Sequence, residues 1–157
     1  LLTGFLASHV SRSFIGRIVA FVVIVFLVWF NWQGRPFIYG PNNQLAQAKR
    51  IAKAAYEKAE YKPFNFALMT SGNSDHVFRY FFEVWGNKPV TIENGAIDPE
   101  RKTVTNQLIV ICEEKECKPL GHPLWEIAGF GKAQIVGEWD VPWVKIFKLV
   151  HYEETTN

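Results

Sequence analysis

The sequence predicts an α/β protein: a transmembrane helix followed by a small α/β domain with a mixed sheet of about five strands. Three observations carry that expectation. Residues 18–30 are thirteen apolar residues without a break. Residues 64–92 read as strand, helix, strand, the order that builds a parallel pair. Residues 133–152 alternate on both sides of Pro142, as an antiparallel hairpin does.

The apolar run sits in "RIVAFVVIVFLVWFNWQ". Thirteen residues of helix span roughly 20 Å, short of the ~30 Å hydrocarbon core. Flanking small and polar residues extend the segment to residues 13–33, long enough to cross. Arg17 lies near one end, where its long side chain can snorkel to headgroups. Trp29 and Trp32 mark the other end as an aromatic belt would. A helix buried in a soluble core is the alternative, but the run is apolar on every face, as a membrane span is. A cleaved signal peptide would be followed by small residues in an A-x-A-like pattern, whereas this chain continues "NWQGRPFIYG". His9, Arg12 and Arg17 precede the span. The positive-inside rule therefore puts the preceding segment in the cytoplasm and the following domain outside, at the cell membrane.

The remaining boundaries follow from composition. Residues 1–12 read as the end of a preceding membrane helix and a cytoplasmic turn. Residues 34–43 are a linker broken by Gly34, Pro36, Gly40 and Pro41. Residues 44–152 form the extracytoplasmic domain, and 153–157 a tail. The chain carries 17 basic and 15 acidic residues, and only Arg12 and Arg17 of these lie before residue 34. The domain is thus charge-balanced, without the basic stripe that nucleic acid would require.

Within the domain, "QLAQAKRIAKAAYEKAEY" places Leu45, Ala48, Ile51, Ala52, Ala55 and Ala59 at helical spacing, with Asn42 or Asn43 as cap and Pro63 as stop. Residues 64–69 read as a strand. A helix over 76–86 follows, capped by Ser74, with Asp75 in its first turn and Gly86 at its end. Its stripe of Val77, Phe78, Phe81, Phe82 and Trp85 faces the core. Residues 89–92 are a short strand and 93–106 a surface loop. "QLIVIC" (107–112) is the most apolar strand and so central. "HPLWEIAGF" is a short helix with Pro123 in its first turn. Lys145 and Lys148 suit a last strand at an edge or a solvent face.

Candidate chemistry is sparse. "TSGNSD" leads from a strand into a helix, where backbone N–H groups could hold an anion, but it matches no phosphate-binding loop. Asp75 and His76 are adjacent and so point different ways on a helix. "CEEKECKPLGHPLWE" offers Cys112, Cys117 and His122, one ligand short of a closed zinc site. Glu113, Glu114 and Glu116 make the surroundings negative, against a thiolate nucleophile. Outside the cytoplasm a Cys112–Cys117 disulfide is natural, contributing roughly 2 kcal/mol by loop entropy. Two unlinked thiols are the alternative. Glu126 suits a helix N-terminus. Ser74, Asp75, His122 and Glu126 are the ligand-side candidates. No cofactor and no metal is expected.

The phrases "FNFALMTSGNSDHVFRYFFEVWG", "NQLIVICEEKECKPLGHPLWEIAGFG" and "VKIFKLVHY", set behind a membrane span, resemble the C-terminal ends of polytopic membrane proteins of candidate-phylum bacteria. Those resemble glycosyltransferases of the dolichyl-phosphate-mannose–protein mannosyltransferase type. The likeness is one of layout and covers most of the chain. It implies a C-terminal portion, last span plus exterior domain, of an enzyme using lipid-phosphate-linked sugars. Enzymes of that type hold their catalytic acid in the first extracytoplasmic loop, and no position here matches it. The implied partners are the bilayer, other helices of the same longer protein, and a lipid-linked sugar or glycan acceptor. The alternative is a single-pass anchored binding domain.

Overall fold

A computed structural model describes residues 14–34 and 40–152. The expected preceding helix and turn, half of the linker (35–39) and the tail lie outside the described residues. The chain divides into two compact units after Asn42.

The first unit contains α1 (Phe14–Gln33), a helix of 20 residues. Its stretch Phe14–Trp32 has a mean hydropathy of 2.3, long and apolar enough to cross a membrane. All its large apolar side chains are exposed, on every face of the helix. At about 1.5 Å per residue, 20 residues match the ~30 Å hydrocarbon core. Asn31 is reconciled with this run by donating its amide to the Leu27 carbonyl at 2.8 Å. Arg17, Trp29 and Trp32 are exposed on α1.

The second unit is the α/β domain. Its elements are α2 (Gln44–Lys58), β1 (Asn65–Met69), α3 (His76–Val84), β2 (Gln107–Cys112), α4 (Trp125–Ala128), β3 (Ala133–Val141) and β4 (Val144–His151). The sheet order is β1-β2-β4-β3. β1 and β2 are parallel, with Asn65 opposite Leu108 and Met69 opposite Cys112. The other pairings are antiparallel. Both faces of the sheet are covered, so β1 and β2 are buried along their whole lengths. On one face Phe64, Phe66, Ile109, Ile111 and Ile146 meet α2 and α3. On the other, Met69, Leu108, Val110 and Phe147 meet Ile92, Ile127 and Phe130. Alanines 52, 55 and 59 are fully buried, so α2 lies close on the aromatic cluster of α3.

Several expectations are corrected. The sheet has four strands, because residues 89–92 form only a single parallel bridge, Val90 with Asn65. Pro89 lacks a donor, Val90 donates to the Phe64 carbonyl at 2.9 Å, and Glu93 N–H already turns to the Thr103 hydroxyl. The last strand, β4, is interior, and the exposed edge is β3. Its lysines are accommodated by partners: Lys148 meets Glu60 and Lys145 meets Glu138. Ser74 does not cap α3. Asp75 holds that position, and its carboxylate pairs with Arg79 instead of capping. The helix over 122–130 contracts to four residues with Pro123 outside it. A β-carbon on Gly129 would stand 2.8 Å from the Trp125 carbonyl oxygen.

The long connection from α3 to β2 is pinned by a residue the sequence reading passed over. Asn65 is fully buried. Its amide donates to the carbonyls of Val90 (2.8 Å) and Thr103 (2.9 Å), and its oxygen accepts from Thr105 N–H (2.8 Å) and hydroxyl (2.9 Å). All four hydrogen-bonding sites of the amide are used. Further along, Arg101 donates to the Gly129 carbonyl at 2.5 Å, at the C-terminal end of α4, where a cation is favoured.

The turn after α2 supplies a pH-dependent contact. The Lys148 ammonium, then that of Lys62, lowers the pKa of Glu60 to about 2. The carboxylate form favours the fold. That contribution is complete above the unfolded value of about 4.3 and fades as pH falls toward 2. Thr103 donors likewise lower the pKa of Asp98, adding loss over the acid range. Glu60→Gln is expected to lower Tm at pH 7 and to narrow its Tm difference from the native chain as pH falls from about 4.5 to 2. Thermal melts across that range check this. A gap between the two that stays constant down to pH 2 would contradict it.

Candidate functional site

Parallel strands end on one side of their sheet, and the chain must splay apart there to begin its returns. In open α/β sheets that divergence makes a ready crevice. Here β1 exits into residues 70–75 and β2 into Glu113 and the loop closed by the disulfide between Cys112 and Cys117. Cys112 is buried at the strand end. Glu113 follows it directly and lies inside the loop that the Cys112–Cys117 bond closes, so the disulfide restrains the backbone that presents it.

Glu113 is the hub of the crevice. Its N–H donates to the Met69 carbonyl at 2.9 Å, continuing the strand pairing by one bond. One oxygen of its carboxylate, Oε2, accepts from the Thr70 hydroxyl at 2.9 Å and from the Asn73 amide at 2.6 Å. Thr70 Oγ1 in turn accepts from Asn73 N–H at 3.2 Å, which tightens the turn. Among the described residues Oε1 accepts no bond and remains available.

Two clefts meet at this hub, and a third adjoins them at Asn73. The first, about 580 Å³, runs between the N-terminal turns of α2 and α3, lined by Gln47, Ile51, Asn73, Ser74, Phe78 and Glu113 among others. The second, about 400 Å³, shares Gln47, Ile51, Asn73 and Glu113 and has Trp143 in its wall. The third, about 300 Å³, contains Thr70, Asn73, Ser74, Asp75 and Glu126. The volumes fall in the range of small-molecule sites. Glu113 is the one charged residue lining the first two, and no lysine or arginine lines any of the three among the described residues.

Trp143 is unusual. It occupies the two-residue turn between β3 and β4, after Pro142, with φ of +79°. Position i+2 of a type II turn takes that angle, and glycine or asparagine normally fills it. The residue is 81% exposed. Nothing in the core requires a tryptophan there.

The residues singled out from sequence are therefore dispersed. Ser74, Asp75 and Glu126 do come together around the third cleft. Asp75 is held by Arg79, whose guanidinium also reaches the Phe66 carbonyl. His122 lies elsewhere, in a cleft with Leu120, Ile127 and Tyr152, and its Nδ1 accepts from Leu124 N–H at 3.2 Å. The sulfurs of Cys112 and Cys117 are bonded to each other, so neither is a thiolate ligand or nucleophile. No group of three or more potential metal ligands occurs among the described residues. The residues sequence reasoning missed are Gln47, Thr70, Asn73, Glu113 and Trp143. A usable signal existed: Thr70 and Glu113 are the first residues beyond two neighbouring parallel strands. Comparisons with family models, with curated proteins and with solved structures find no match to this chain.

Proposed function

We propose that the chain is a membrane-anchored binding domain, held by α1 at the cell membrane, with its α/β domain on the extracytoplasmic side. The observation that carries the reading is the Cys112–Cys117 disulfide in a domain that follows a helix apolar on every face. Disulfides persist in oxidising compartments and are rare in the cytosol. This one closes the loop that carries Glu113, so the same bond that favours an exterior location also shapes the crevice. Binding is favoured over catalysis by the inventory of the first two clefts, which hold one carboxylate, amides and hydroxyls, with no histidine, lysine or thiol lining them among the described residues.

The glycosyltransferase that the sequence resembles would use a lipid-phosphate donor. A phosphate is poorly served by a crevice that pairs a carboxylate with no cation. Within such an enzyme this domain would hold something other than the donor phosphate. A topology reporter fused after Asn157 tests the proposal. Alkaline phosphatase, which folds only outside the cytoplasm, is expected to be active. Activity from a cytoplasm-dependent reporter, with the phosphatase silent, would overturn the orientation.

A further inference from the structure

We propose that the crevice beneath Trp143 binds a neutral carbohydrate, with the indole as stacking platform and Glu113, Asn73 and Gln47 as hydroxyl partners; this rests on the binding-domain reading above. The proposal starts from the strained tryptophan. Residues held at positive φ without being glycine persist only where something else rewards them. At the tip of the β3–β4 turn the reward is not packing, since the residue is 81% exposed. A broad aromatic face left in water beside a polar cleft has one obvious use, which is to receive the apolar face of a ligand.

The cleft walls define the rest of that ligand. Glu113 retains an acceptor oxygen, while Asn73, Gln47, Thr70 and Ser71 supply groups that can donate and accept. Vicinal hydroxyls match this mixture, because each hydroxyl both donates and accepts. A pyranose ring adds the flat C–H face that an indole stacks against. Phosphates, nucleotides and acidic peptides are disfavoured, because among the described residues the only charge lining the cleft is the Glu113 carboxylate. An organic cation could use both the indole and that carboxylate. The observations favour the neutral ligand, because Glu113 already shares one oxygen between two neutral donors and Trp143 is the sole aromatic ring lining this cleft among the described residues.

The test uses the full chain in lipid nanodiscs, with mannotriose, cellotriose and chitotriose as probes and spermidine as the cationic comparison. Saturation-transfer NMR and calorimetry are expected to show at least one trisaccharide binding with a Kd of about 1 mM or tighter. Trp143→Gly is expected to weaken that binding by roughly 10-fold or more, as loss of an aromatic anchor does. Its Tm is expected to rise, because glycine relieves the strained turn, so a misfolded variant is not the cause. Trp143→Tyr should recover most of the affinity, and Glu113→Gln should weaken it at unchanged fold. Failure of all three sugars to bind, native affinity in Trp143→Gly, or spermidine binding with no sugar binding would each overturn the proposal. Binding in nanodiscs does not depend on cellular orientation. A failure here therefore leaves the topology result standing, and a cytoplasmic reporter result leaves the sugar affinity measured.

Discussion

Asn65→Ala is expected to destabilise the α/β domain by about 3 kcal/mol and to lower its Tm by roughly 15 °C. The side chain is fully buried and makes four hydrogen bonds, to Val90, Thr103 and Thr105. Truncation strands the carbonyls of Val90 and Thr103 and the N–H of Thr105 at the margin of the core. Each such loss costs about 1–3 kcal/mol where water cannot replace the partner, and the half-buried setting of these residues argues for the lower part of that range. Thr105→Ala removes only the hydroxyl of one partner and should cost about 1 kcal/mol. Urea unfolding of the two variants checks the ratio. Equal, small losses in both would mean that residues 88–106 are not held through Asn65. The effect would extend beyond stability, because Ile92 in this connection packs on Ile127 and Phe130 under the sheet.

The second large effect concerns α1. Placing arginine at Ile24 and Val25 puts two charges at the middle of Phe14–Gln33. Each central arginine costs about 3 kcal/mol on insertion scales, so the pair should cost roughly 6 kcal/mol and prevent stable integration. After alkaline carbonate extraction the native chain is expected in the membrane pellet and the double variant in the supernatant. Arg17→Ala should leave integration intact, since Arg17 lies near an end of the helix, where a charge can reach the headgroups. Retention of the double variant in the pellet would show that something other than the apolar helix holds the chain.

Where one face or one run dominated the sequence, the fold was legible. The unbroken apolar run of α1, the stripe of Phe78, Phe81 and Phe82 on α3 and the all-apolar core of β2 each match what the structure contains. The errors fell where long-range partners decide. Residues 89–92 carry strand-like side chains, but Pro89 and a neighbouring threonine hydroxyl take the segment out of the ladder after one bridge. Lys145 and Lys148 suggested an edge or a solvent face; the strand is interior, and acidic residues from β3 and from the turn after α2 neutralise them there. No local pattern announces those pairings.

The crevice was harder still. Ser74, Asp75, His122 and Glu126 drew notice for their side-chain chemistry and their places near helix starts. Glu113 looked like one of several solvated acids, until the parallel register of β1 and β2 put it beside Thr70 and Asn73. Trp143 gave no signal either, because its meaning lies in a backbone angle that composition does not encode.

The compartment of the two sulfurs tests the central proposal most directly. Cells expressing the full chain are treated with a membrane-impermeant maleimide, with and without an impermeant phosphine reductant. Cys112 and Cys117 are the only cysteines in the sequence, so any label reports on them. An extracytoplasmic, disulfide-closed domain predicts no labelling without reductant and labelling of both sulfurs with it. Labelling that appears only after the cells are broken open, and then without reductant, would place reduced thiols in the cytoplasm and contradict the account.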